Sequence, residues 1–122
     1  MAKYVDGFII PIKKKNLKDY KKMAKIGCKV WMEYGALDYY ECEGAVLNHA
    51  WGVSFEKLLK LKRDETVILA FIIYKSKAHR NSVNKKVMAD ERMSPEYWHH
   101  MKMPFDMKRF STGEFKVLVC AG

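Results

Sequence analysis

The run Thr66 to Tyr74, TVILAFIIY, is apolar on both of its alternating sides. A strand of this kind needs cover on both faces, because the polar-out alternation of a one-sided sheet is missing. At 122 residues the chain is the size of one domain, and the spacing elsewhere predicts two long helices. Two helices cover one side of a four-stranded sheet, so the other side needs a second sheet or a second chain. Homodimerisation by sheet packing is therefore expected.

The rest of the pattern surrounds that strand. Tyr4 to Ile12 is aromatic and β-branched up to Pro11 and Lys13 to Lys15, and predicts a first strand. Asn16 suits a helix N-cap, after which Leu17, Tyr20, Ala24, Gly27, Trp31 and Tyr34 recur at steps of three and four until Gly35. Leu37 to Leu47 predicts a second strand, and Ser54 a cap for a short helix from Phe55 to about Leu61. Ser76 caps a second long helix ending near Asp90, with Val83, Val87, Asn84 and Met88 inward. Ser94, Pro95 and Glu96 introduce a short helix, and Glu114 to Val119 alternates as a last strand. The order predicts an α+β domain over residues 1–122, a ferredoxin-like four-stranded antiparallel sheet with helices on one face and one helical insertion.

Composition narrows the class. With 49% hydrophobic and 30% charged residues the chain carries enough apolar side chains for a core and is not of disordered type. The longest apolar stretch, Val67 to Tyr74, is far too short to span a bilayer, and the amino terminus lacks a signal core, so a cytoplasmic protein without a membrane is expected. Cys28, Cys42 and Cys120 are scattered and predict reduced, mostly buried thiols. The net charge of +9 would attract nucleic acid, an anionic ligand or an acidic protein. Its lysines, Lys13 to Lys15, Lys57, Lys60, Lys62, Lys85 and Lys86, spread over several elements without an RNA-binding strand motif, a GxxG loop or a helix-turn-helix, which argues for a solvated surface over a nucleic-acid site.

Two carboxylates stand out as candidate proton acceptors, Asp6 and Glu41, each embedded in an otherwise apolar strand where burial favours a general base. The competing reading gives Asp6 to the turn chemistry around Gly7 and pairs Glu41 with a lysine or arginine. If the first and third strands are central, the two are not strand neighbours, and a paired-carboxylate mechanism is not expected. His79, Arg80 and Asn84 fall within about one turn of the second long helix as candidate groups for an anionic ligand, Arg80 and Asn84 at the favourable i, i+4 spacing, or else as a helix face tied to the loop after Asp90. Asp106 and Arg109, with Lys108, form either a pocket rim or a salt bridge fixing the loop to Arg92. Cys42 has no histidine near it by local spacing, and His49, His79, His99 and His100 lack ligand spacing, so neither a thiol nucleophile nor a metal site is expected. Trp31, Phe71, Trp98 and Phe105 read as core, or as the lining of an apolar cavity between sheet and helices.

Several segments together carry a family resemblance: YVDGF at Tyr4 to Phe8, YGAL at Tyr34 to Leu37, Glu41 with Cys42, YKSKAHRNSVNKKVMADERM from Tyr74, and MPFDMKRF from Met103. Over nearly its whole length the chain resembles the small bacterial DUF1428 family of unknown function, typified by YbaA. The resemblance implies a dimeric α/β barrel of ferredoxin-like fold. Arg80 and Asn84 match positions of the family motif, whereas Asn81 stands where an acid is common. Similar barrels include cofactor-free monooxygenases, dismutating or dehalogenating enzymes and ligand-binding stress proteins. Two classes of function follow: a homodimer with a small-molecule pocket and no cofactor, acting as a binder or as an enzyme, or a non-catalytic basic module for an acidic partner or RNA.

Overall fold

The computed structural model describes residues 2–122. Strand β1, Tyr4–Lys13, leads through a single 3₁₀ turn into helix α1, Leu17–Glu33. Asn16 does not cap that helix with its side chain; its Nδ2 instead donates to the Pro104 carbonyl at 3.0 Å. α1 ends at Gly35, whose φ of 105° lies where a Cβ is penalised. Strand β2, Asp38–Glu43, is shorter than its aromatic and acidic sequence suggested, because only these residues pair with the next strand. Ser54 accepts from the Lys57 N–H and starts α2, Phe55–Leu58, which stops before Leu61.

Strand β3, Glu65–Tyr74, pairs antiparallel with both β1 and β2. Ser76 accepts from the His79 N–H at 3.1 Å and opens α3, Lys77–Met88. α4, Pro95–Trp98, has proline at its first turn, where a missing N–H costs nothing. The last strand, β4, Ser111–Lys116, lies three residues earlier than the alternation of Phe115, Val117 and Val119 predicts. Pairing with β1 decides this: Gly113 sits opposite Gly7 and Lys116 opposite Tyr4, so Leu118 and Val119 fall beyond the sheet and are exposed.

The sheet order β2-β3-β1-β4 is that of the ferredoxin-like fold. Alternation sends Tyr4, Ile10, Ile12, Ile68, Ala70, Ile72 and Tyr74 to the face covered by α1 and α3, where they pack with Tyr20, Val30, Trp31, Val83 and Val87. Met88, expected inward, is exposed, since Val83 and Val87 alone occupy the buried stripe of α3. On the opposite face, Leu47 and Phe55 lie against Ile9, Val67 and Leu69 at one corner. Leu69 is only partly covered there, and beyond that corner Tyr40 and Phe115 remain exposed, with Phe71 stacked on Tyr40 at 5.2 Å.

Candidate functional site

Between α1 and the helical face of the sheet lies a chamber of about 200 Å³. Phe8 and Ile10 of β1, Ala70 and Ile72 of β3, and Met23, Gly27 and Trp31 of α1 form most of its wall, and Phe105 and Phe110 close one end. No lysine, arginine or histidine lines it; Glu41 brings the charge. Tyr39 and Glu41, two apart on β2, share the inner face, and Tyr20 meets them from α1. The Tyr20 hydroxyl donates to Glu41 Oε1 at 2.6 Å and the Tyr39 hydroxyl to Oε2 at 2.7 Å. Burial, reinforced by the adjacent carboxylate, pushes both phenols far above their ordinary range, so both stay donors at any physiological pH. Gly27 makes room for this arrangement: a Cβ there would stand 3.0 Å from the Tyr39 hydroxyl oxygen.

Each carboxylate oxygen has capacity beyond the single hydroxyl it accepts. Glu41 also borders an open groove between α1 and β2, lined by Lys18, Lys21 and Glu43, and so stands between the chamber and solvent. Trp31 lines the chamber while its Nε1–H is buried without a well-aligned acceptor; the Tyr74 hydroxyl is its polar neighbour.

Asp6 lies on the same face but is separated from Glu41 by β3. It is 3% exposed, accepts from Arg80 Nε on both oxygens at 3.1 Å, and accepts from the Tyr74 hydroxyl at 2.9 Å. Asn84 donates to that same hydroxyl and to the Arg80 carbonyl, and Arg80 also approaches Glu114. The ion pair with Arg80, not turn chemistry around Gly7, is what holds Asp6. Likewise, two tyrosines, not a lysine or arginine, hold Glu41. His79 faces away from the chamber; its Nδ1 accepts from the Lys75 N–H at 2.9 Å.

At the other end of the sheet, a cleft of about 590 Å³ is lined by Lys13, Lys15, Lys60, Lys62 and Lys102, and by Phe105, which borders the chamber too. Asp106 and Arg109 lie on this cleft. Arg109 pairs with Glu65 and donates to the Leu59 carbonyl at 3.1 Å, which fixes the turn where Lys60 adopts φ 51°. Asp106 accepts from the Lys108 N–H and makes no bridge to Arg92, which pairs with Asp90 and Glu33. Thus the structure brings Arg80 and Asn84 to Asp6 and Tyr74, leaves His79 against the outer edge of the Tyr74 ring, and places Asp106 and Arg109 on the lysine cleft, with Glu41 in the chamber between helix and sheet.

The expected aromatic lining divides in the same way. Trp31 and Phe105 line the chamber, Phe71 lies on the opposite face of the sheet, and Trp98 donates to the Arg92 carbonyl. Cys42 and Cys120 are exposed and Cys28 is half-buried, against the expectation of mostly buried thiols. Cys42 lies on an edge strand, on the uncovered side of the sheet. Among the described residues no helix is long and apolar enough to cross a membrane, and no three His, Cys, Asp or Glu side chains are gathered to hold a metal ion.

A four-stranded antiparallel sheet backed by two helices defines an α+β protein of the ferredoxin-like class. Solved structures agree in fold: a dimeric ferredoxin-like protein from an uncultured marine organism matches with TM-score 0.61 and 13% identity over 99% of this chain and 100% of that one. A nipsnap family protein with unknown function from Agrobacterium tumefaciens matches with TM-score 0.56 and 12% identity over 95% of this chain and 88% of that one. The chain belongs to DUF1428, described as a protein family of unknown function, whose model matches residues 3–107. It is 33% identical over 117 residues to the uncharacterized protein YbaA of Escherichia coli K12, covering 96% of this chain and 97% of that protein, and equally to YbaA of Shigella flexneri.

Proposed function

We propose that the protein is a homodimer that binds a compact, mostly apolar molecule in the chamber, where Glu41 accepts a hydrogen bond or a proton from it. One observation carries this reading: Glu41 is a carboxylate on the wall of an apolar chamber, held by two phenol hydroxyls and paired with no cation. A structural carboxylate in such a place is normally neutralised by a guanidinium, as Asp6 is by Arg80. Hydroxyl donors fix the orientation of Glu41 without bringing a cation to it, which suits a general base or a hydrogen-bond acceptor for a bound O–H, N–H or activated C–H. The groove on its other side supplies a route by which a captured proton returns to water.

The volume limits the occupant. A dry cavity of about 150 Å³ holds benzene, so the 200 Å³ chamber fits one ring or a short branched chain. The uncovered sheet face supports the dimer, because its apolar residues Tyr40, Leu69, Phe71 and Phe115 would meet their own copies across a two-fold axis, and one structural relative is described as dimeric.

The test is thermal unfolding of the protein, its mass first fixed by light scattering, against compact aromatic and branched aliphatic compounds with and without a donor. Donor-bearing compounds should raise the melting temperature with dose, and Glu41→Gln should weaken their binding roughly tenfold to a hundredfold, the worth of a hydrogen bond to a charged group. Equal binding to the variant removes Glu41 from the contact; a flat response to every compound removes the chamber from function.

A further inference from the structure

We infer that the occupant is an amphipathic anion whose apolar body sits in the Glu41 chamber and whose carboxylate rests on the lysines of the adjoining cleft, with the Phe105 ring as the movable wall between them. The inference rests on the chamber reading above and adds the chemical class of the ligand.

Charge is the first argument. Every ion pair among the described residues uses an arginine; the five cleft lysines take part in none of them. Arg109 is committed to Glu65, while Asp19 and Asp106 are the cleft carboxylates outside any of these ion pairs, two against the five lysines Lys13, Lys15, Lys60, Lys62 and Lys102. A cleft lined this way, with Pro11, Ile12, Met103 and Phe105 as low-dielectric walls, concentrates positive potential on whatever enters it. Glu41 makes the chamber unfavourable for an anion, so an acidic group on the occupant is driven to the opposite end.

Geometry is the second. Ile10 lines the chamber and Ile12 the cleft, two residues apart on the same side of β1, a step of roughly 7 Å at strand rise. A single ring with an acidic arm of two or three atoms spans that distance. Phe105 borders both spaces and is half-buried, its ring 5.8 Å from Tyr20 edge-on and 5.9 Å from Phe110 in a stack. Its backbone is anchored next door, where Pro104 is buried and its carbonyl receives Asn16. With its main chain fixed, this half-buried ring at the rim of the Ile10, Ile12 and Tyr20 cluster can turn aside about its own side-chain bonds without moving the loop.

The experiment compares 3-(4-hydroxyphenyl)propionate, whose phenol can donate to Glu41, with its neutral amide, and with pyrophosphate as an anion lacking a ring, by calorimetry on the full chain. The acid should bind at least about tenfold tighter than the amide at low salt; that advantage should shrink at about 0.2 M salt, where surface charges are screened, and in Lys15→Gln with Lys102→Gln. Phe105→Ala should raise the association rate, followed by stopped-flow tryptophan fluorescence, severalfold. Equal affinity for acid and amide overturns the anionic class while leaving the chamber reading intact. Pyrophosphate binding without displacing the acid would make the cleft a separate anion site and also overturn it. No binding by acid or amide overturns both readings, and an unchanged association rate in Phe105→Ala overturns the role given to that ring.

Discussion

At the scale of single residues, the two carboxylates that sequence patterning groups together are set to opposite tasks by their partners. Asp6 is enclosed by Arg80 and Tyr74 and has become part of the structure. Asp6→Asn should lower stability by about 2–3 kcal/mol, less than for a wholly buried pair because Arg80 is about a quarter exposed. Chemical denaturation of the variant measures it, and a stability within 0.5 kcal/mol or so of the parent would contradict the structural role. Glu41, by contrast, holds no cation, and its replacement should register in binding before it registers in folding. Strand composition marks both acids as unusual but carries no information about what reaches them from elsewhere in the chain. Arg80 lies 74 positions from Asp6 and Tyr20 lies 21 from Glu41. One signal was available: Tyr39 and Glu41 alternate onto one face of a strand, and Tyr20 sits on the apolar stripe of the preceding helix, so two phenols and an acid were bound for the same layer.

At the scale of elements, β3 is the strand whose two-sided apolar pattern demanded cover, and the structure covers it unequally. Ile68, Ala70 and Ile72 are buried under the helices, while Leu69 on the reverse side is 43% exposed. Phe71→Asp should convert the proposed dimer to a monomer with little loss of helical content, since its ring faces Tyr40 on the uncovered side and not the chamber. Light scattering decides it: a dimer of unchanged mass would place the subunit contact elsewhere. Periodicity located every long element because apolar spacing and burial coincide along α1, β1 and β3. It misplaced β4 because Glu114 to Val119 alternates while Ser111 to Lys116, with Phe115 as its one large apolar side chain, does not, and only the pairing of Gly113 with Gly7 selects the register. It overran β2 because the chain after Glu43 continues apolar while leaving the ladder to fold over the sheet's reverse face.

At the scale of the whole molecule, the arginine-centred ion pairs tie distant elements together and give the fold its response to acid. Three hydrogen bonds from Arg92, two from its side chain and one from its backbone N–H, and one from the Tyr34 hydroxyl hold the Asp90 carboxyl far below its usual range. Burial alone would raise Glu65, but Arg109 and the Lys62 N–H outweigh it and bring it below its usual range. Carboxylates depressed in the fold contribute stability that is complete above their unfolded pKa near 4 and is lost as pH falls through the folded values. Melting temperature should therefore hold above about pH 5 and fall steadily below 4. Asp90→Asn should cost stability at pH 6 and approach the parent by pH 2; a constant difference across that range would show that Asp90 does not carry the dependence.

The unpaired indole of Trp31 also makes the chamber visible. Of the three tryptophans, Trp51 is 82% exposed and Trp31 only 9%, so their emission bands separate by colour. With Trp51 and Trp98 changed to phenylalanine, the remaining tryptophan fluorescence would come from the chamber wall alone. Any molecule arriving beside Trp31 would be timed by light from the protein itself, with no label attached.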